Sequence, residues 1–114
     1  MPMLKIQTNT PVAEENRKAL ASLASATVAE LLGKPERYVI VSIEENPSML
    51  FGGSDAPLAY LELKSIGLPD SQTSEFSARL AKLLEEQLGL PADRVYIEFA
   101  DAARNMWGWN GGTF

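Results

Sequence analysis

The sequence predicts an α/β (α+β) fold in which two strand–helix–strand units build a four-stranded mixed sheet with two helices on one face. Three observations carry this expectation. Short segments of alternating apolar residues flank two helical stripes, each stripe stops at a glycine with a proline two residues beyond, and the second half of the chain repeats the first at an offset of 56 residues.

Leu4 and Ile6 alternate with Lys5 and Gln7, so a strand opens the chain over 3–8. Thr10-Pro11 supplies an N-cap followed by proline at the first helical position, which predicts a helix over about 12–32. Its apolar stripe is Leu20, Leu23, Ala24, Thr27, Val28, Leu31 and Leu32, and Gly33 with Pro35 ends it. The next segment, 38–43, is β-branched, with Val39, Val41 and Ile43 on one face and Tyr38 and Ile40 on the other, so both faces are expected to be buried. Asn46-Pro47 and Gly52-Gly53-Ser54 mark a long loop, after which Leu58 to Ile66 reads as a strand closed by Gly67 and Pro69. A second helix over about 71–88 carries Phe76, Leu80, Leu83, Leu84 and Leu88, and Gly89 with Pro91 stops it. Val95, Ile97 and Phe99 alternate with Tyr96 and Glu98 in a fourth strand, and the tail from Met106 to Phe114 is aromatic and glycine-rich.

The repeat shows when Leu32-Gly33-Lys34-Pro35-Glu36-Arg37-Tyr38 is laid beside Leu88-Gly89-Leu90-Pro91-Ala92-Asp93-Arg94-Val95, where one inserted residue aligns Arg37 with Arg94. The same offset lays strand 3–8 over 59–64, so residues 1–114 are expected to be one domain of two pseudo-repeats, about 1–56 and 57–114. A strand, a crossover helix and a returning strand give a parallel pair of right-handed connection. Two such units leave the far face of the sheet bare. Ile40, Leu58 and Ile66 fall on that face, so association through the sheet is expected, the alternative being an edge of the long loop folding over it.

Composition narrows the chemistry. With 114 residues, 46% hydrophobic and 22% charged, the chain has the make-up of one soluble domain, and no apolar run is long enough to span a bilayer. A net charge of -5 has the wrong sign for a polyanion, so no nucleic-acid partner is expected. Cysteine is absent, which removes disulfides, thiolate nucleophiles and thiol–disulfide exchange. Histidine is absent as well, so proton transfer near pH 7 must use a group whose pKa has been moved there, or a free α-amino group. The first residues carry no apolar signal core, which predicts a cytoplasmic protein processed at Met1 alone, with export by a route independent of a signal peptide compatible. Glu44-Glu45 and Glu85-Glu86 are adjacent rather than convergent, and Gly52-Gly53 lacks the strand and helix of a phosphate loop, so neither a metal nor a cofactor is expected.

Six segments, in order along the whole chain, resemble the macrophage migration inhibitory factor family of the tautomerase superfamily. They are Met1-Pro2-Met3, Leu32-Gly33-Lys34-Pro35, Phe51-Gly52-Gly53-Ser54, Ser65-Ile66-Gly67, Asp93-Arg94-Val95-Tyr96-Ile97, and Gly108-Trp109-Asn110 with Thr113-Phe114. The resemblance implies a homotrimer with sites between subunits, and keto–enol tautomerisation of phenylpyruvate-like aromatic α-keto acids. It also implies that Met1 is removed and that Pro2 is the general base. Lys34 and the Ile66 backbone N–H would hold the substrate carboxylate, and Tyr96 and Glu98 would reach the neighbouring subunit's pocket. Tyr38, Met3, Trp107, Trp109 and Phe114 would form its aromatic and apolar wall, with Trp109 equally placed to pack in the subunit interface.

The chemistry of Pro2 can be built without the resemblance. A proline nitrogen within the chain is a planar amide, whereas at the N-terminus it is a secondary amine, and burial beside Lys34 would keep it neutral near pH 7. Two departures matter. Glu98 stands where many relatives carry Asn, so a carboxylate would face a substrate's ring substituent, and Trp107 replaces a smaller aliphatic residue and would narrow the pocket. Another branch of the superfamily would bring extra arginines, for which Arg37, Arg79, Arg94 and Arg104 are the candidates, with Arg94 read as structural. The rival from a different class is a cytokine-like interaction module that keeps the fold.

Overall fold

Leu4, Ile6 and Thr8 are fully buried while Lys5 and Gln7 between them are only half covered, and this alternation makes β1 (Met3–Thr8) a strand with one covered face. The computed structural model describes residues 1–114. After β1 come α1 (Glu14–Leu32), β2 (Ile40–Glu45), β3 (Ala59–Ile66), α2 (Thr73–Leu88), β4 (Val95–Ala102) and a short hairpin of β5 (Gly108–Trp109) and β6 (Gly112–Thr113). The main sheet has the order β2-β1-β3-β4, with parallel outer pairs and an antiparallel centre. This is the four-stranded mixed sheet with two helices that the patterning predicts.

Both helices cover the face bearing Leu4, Ile6, Leu61 and Leu63, against which Leu20, Ala24, Val28, Phe76, Leu80 and Leu84 pack. Each large side chain so buried contributes about 1.5–3 kcal/mol. The halves correspond closely. Leu20, Ala24 and Val28 recur 56 positions later as Phe76, Leu80 and Leu84, and Val39, Val41 and Ile43 recur as Val95, Ile97 and Phe99. The first strands correspond at 57 instead, matching Leu4 to Leu61, Ile6 to Leu63, and the buried polar pair Thr8 and Ser65. Side-chain direction alternates along a strand, so only an odd offset keeps apolar groups on the covered face. After the helices no residue is inserted, and the slot of Arg94 is that of Tyr38 rather than Arg37.

Several local expectations need correction. Helix α1 begins at Glu14 rather than beside Pro11, with no side-chain cap. The cap is not made: Thr10 Oγ1 is buried without a hydrogen-bond partner, while the Thr10 N–H donates to Thr8 Oγ1 and the Val12 N–H to Glu45 Oε1 of β2. Tyr38 belongs to a 3₁₀ turn, Glu36–Tyr38, and β2 starts at Ile40, which is 59% exposed because β2 is an edge strand covered on one side only. The bare face is not an apolar patch. Leu58 and Ile66 are buried, and the middle of that face is a charged ladder in which Lys5 pairs with Glu44 and Glu62, and Lys64 with Glu62. Apart from Leu23 on α1 and Met106 in the tail, the exposed large apolar groups lie at two corners: Ile40 and Trp109 at one, Leu50 and Tyr96 at the other. The tail also holds an unforeseen hairpin, whose two turn residues, Asn110 (φ 52°) and Gly111 (φ 78°), both adopt the left-handed conformation that a tight hairpin needs.

Candidate functional site

Beyond Ala102 the tail crosses the end of the sheet from the β4 side to the β2 side, and its hairpin comes to rest against the turn that precedes β2. Tyr38 there meets Trp109 and Phe114 edge-on, each at 6.0 Å, while Trp109 and Phe114 stack at 5.4 Å. Trp109 therefore packs within its own chain. The Phe114 N–H donates to the Trp107 carbonyl at 3.2 Å and pins the last residue to this wall. A cavity of about 220 Å³ results, lined by Met1, Arg37, Tyr38, Val39, Ile40, Trp107, Gly108, Trp109 and Phe114.

The start of the chain opens into this cavity. Met1 donates its α-amine to the Tyr38 carbonyl at 2.7 Å, and the Pro2 carbonyl accepts from the Ile40 N–H at 3.0 Å, so β1 is anchored to β2 at its first residues. Pro2 is fully buried. Burial, and then the positive charge of Lys34, hold the α-amine below the ordinary value of 8.0. Lys34 is placed by the end of α1: Gly33 adopts φ 63°, and the Lys34 N–H bonds back to the Ala29 carbonyl at 3.0 Å. Its equivalent in the second half, Leu90, is fully buried, so the fold itself does not call for a cation in this slot. Continuing the β1–β3 register one and two steps beyond Met3 and Lys64 places Pro2 opposite Ser65 and Met1 opposite Ile66. Met3 lies on the open sheet face between Ile40 and Lys64, outside the cavity lining.

Tyr96 and Glu98 lie elsewhere. Tyr96 pairs with Tyr60, which pairs with Gln7, so it stands roughly 17 Å along the strands and about 10 Å across them from Pro2. No side chain bridges that gap, and within one chain Tyr96 and Glu98 cannot join Pro2. They belong to a second corner, where Tyr96 packs on Phe51 at 4.5 Å beside an apolar cavity of about 350 Å³, lined also by Met49, Leu50, Leu58 and Tyr60. Glu98 accepts a 2.8 Å hydrogen bond from the Tyr60 hydroxyl, and this bond is the main reason the Tyr60 phenol is pushed up to about 12.

Among the arginines, only Arg37 lines the first cavity, with its guanidinium 4.7 Å from the centre of the Tyr38 ring and no ion pair within the chain. Of the four arginine candidates Arg37 is thus the one that reaches the cavity, and its position beside Tyr38 is the sequence signal that sets it apart. Arg79 pairs with Glu30 in a groove between the helices, where Lys82 pairs with Glu86. No group of three or more His, Cys, Asp or Glu side chains converges in a metal-binding arrangement. No helix is long and apolar enough to cross a membrane.

Doubled strand–helix–strand units joined through an antiparallel centre give the chain a tautomerase-like fold. The family model described as macrophage migration inhibitory factor matches residues 1–114. A macrophage migration inhibitory factor homolog of Brugia malayi is 41% identical over 115 residues, spanning 100% of this chain and 99% of its own. The Mus musculus macrophage migration inhibitory factor is 36% identical over the same shares. Among solved structures, a homologue from Prochlorococcus marinus superposes with a TM-score of 0.92 at 43% identity, over 98% of both chains. The chain belongs to the macrophage migration inhibitory factor family.

Proposed function

We propose that the protein is a keto–enol tautomerase of phenylpyruvate-like aromatic α-keto acids, acting through Pro2 once Met1 is removed. The observation that carries this reading is an amine of lowered pKa at the mouth of an aromatic cavity, in a chain without histidine. While Met1 is attached, the Pro2 nitrogen is an amide with no basic lone pair. Freed, it is a secondary amine subject to the same burial and the same Lys34. It takes a proton from the carbon beside the substrate carbonyl, the electron pair moves onto the carbonyl oxygen, and the Pro2 ammonium returns the proton to that oxygen. Lys34 stabilises the enolate and, with the Ile66 backbone N–H, holds the carboxylate. Tyr38, Trp109 and Phe114 flank the ring, with Trp107 beside them.

Tyr96 and Glu98 enter this scheme from another copy. The two exposed apolar corners lie at opposite ends of the two edge strands, so in a head-to-tail arrangement one covers the other, and a closed ring of such contacts completes every site. Three copies are the expected number. A cavity of about 220 Å³ is small for a ligand site, as expected of one that a neighbour completes.

The test is phenylpyruvate tautomerisation by protein whose intact mass establishes the state of Met1. Activity confined to the Met1-free form, and lost in Pro2→Gly of the same processing, is the expected result. An inactive Met1-free protein would sink the reading and leave a cytokine-like interaction module as the use of this fold.

A further inference from the structure

We propose that Arg94 is a positioning residue that fixes Tyr96 for the neighbouring copy's pocket. The inference rests on the reading that Tyr96 completes a site in another copy. Arg94 ends the 3₁₀ turn before β4, two residues from Tyr96, in the slot that Tyr38 fills in the first half. Its guanidinium donates to four main-chain carbonyls of the loop between β2 and β3: Phe51 at 2.9 Å, Ala56 at 2.8 Å, Ser54 at 3.1 Å and Pro57 at 3.3 Å. The loop turns back on itself there, because Phe51 and Ser54 exchange main-chain hydrogen bonds at 2.9 and 3.1 Å. The same guanidinium lies 4.9 Å from the centre of the Phe51 ring, and that ring also packs on Tyr96.

The chain of contacts is thus Arg94, Phe51, Tyr96. It acts on a side chain that is largely uncovered, since Tyr96 is 66% exposed and Phe51 is the ring that packs on it at 4.5 Å. A planar fork with donors on three nitrogens can gather four carbonyls, whereas the compact ammonium of lysine cannot. Without the guanidinium the four carbonyls turn to water, Phe51 loses the face it rests on, and Tyr96 loses its backing. An aromatic contact that must be ordered at each binding event weakens binding without touching the base.

The experiment compares wild type, Arg94→Lys and Arg94→Gln, each freed of Met1. Both variants should raise KM for phenylpyruvate about tenfold, leaving kcat within about twofold and its pH profile in place. Phe51→Leu should show the same split. A fall in kcat at unchanged KM would mark simple loss of folded protein and overturn the proposal. Refolding Arg94→Gln together with Pro2→Gly should restore a low-KM fraction, because some sites then join an intact Pro2 to an intact corner; no recovery would place the action of Arg94 within its own chain. A readout independent of turnover is the ring order of Tyr96 by NMR relaxation, with Tyr96→Phe giving the assignment. Greater ring motion in Arg94→Gln is expected, and an unchanged ring overturns the inference. Wild type without tautomerase activity, combined with a Tyr96 ring loosened in Arg94→Gln, would instead indict the catalytic reading and spare the positioning.

Discussion

The α-amine of Met1 donates a 2.7 Å hydrogen bond to the carbonyl oxygen of Tyr38, so the first atom of the chain is tied to the residue that walls the aromatic cavity. The contact closes the end of the parallel β1–β2 pair. It also takes the amine partly out of water, the larger of the two causes that lower its pKa, and Lys34 adds the second.

Replacing Lys34 by Gln removes only that second cause. The amine pKa should rise but stay below the ordinary 8.0, as NMR titration of Met1-bearing protein would show. In Met1-free protein the acid limb of kcat/KM should move to higher pH in the same direction, and kcat/KM should fall about 10²-fold or more as the enolate loses its cation. A stationary limb would mean that Lys34 does not act on the base.

The Tyr60–Glu98 bond makes a prediction at the alkaline end. Glu98 holds the phenol in its protonated form, so Tyr60 should ionise at about 12, and Glu98→Gln should bring it back toward 10 in an ultraviolet titration. The sign for stability follows. A pKa raised in the folded state contributes stability that is full below the unfolded value of 10 and is lost as pH rises through about 12. Glu98→Gln should therefore unfold more readily than wild type at pH 8, with the gap narrowing at higher pH.

What was legible in the sequence follows from what is local. Helical stripes ending at Gly33 and Gly89 fixed both helices, and the alternation in β1 and β4 fixed their faces, since periodicity is a property of neighbouring residues. The charge of the open face is equally present in the sequence as Lys5, Glu44, Glu62 and Lys64, but which of these lie beside one another depends on strand register, which the apolar Ile40, Leu58 and Ile66 do not reveal. Leu58 is buried through a loop that no periodicity describes. The start of α1 misled because Glu45, thirty-three residues beyond Val12, competes for its N–H. Asn110-Gly111 carried an unused hairpin signal. Of the site residues, Pro2, Tyr38, Trp109 and Phe114 come together at one end of the sheet, while Tyr96 and Glu98 fall at the other because β4 is two strands away.

Thr8 tests the polar side of the core. Its hydroxyl, fully buried, donates to the Leu58 carbonyl at 2.7 Å and accepts from the part-buried Thr10 N–H at 3.1 Å. Thr8→Val keeps the volume and strands both main-chain groups. A loss of about 1–3 kcal/mol in urea unfolding is expected, against a few tenths for a surface Thr.

Arg37 supplies the remaining test of how the cavity meets an anion. It lines the cavity, stacks on the Tyr38 ring at 4.7 Å and has no carboxylate within reach in its own chain, while no acidic side chain lines the same space. With Lys34 acting on the amine nearby, the pocket is a local concentration of positive charge in a molecule of net charge -5. An anionic keto acid should therefore be drawn in by a field that added salt screens over about 10 Å. Arg37→Gln should raise KM for phenylpyruvate about threefold to tenfold at low ionic strength and flatten the dependence of KM on salt. It should lower kcat far less than Lys34→Gln does, because a cation on the wall of the cavity assists capture more than the developing enolate. Equal losses in kcat from the two substitutions would place Arg37 at the reacting atoms instead of at the entrance.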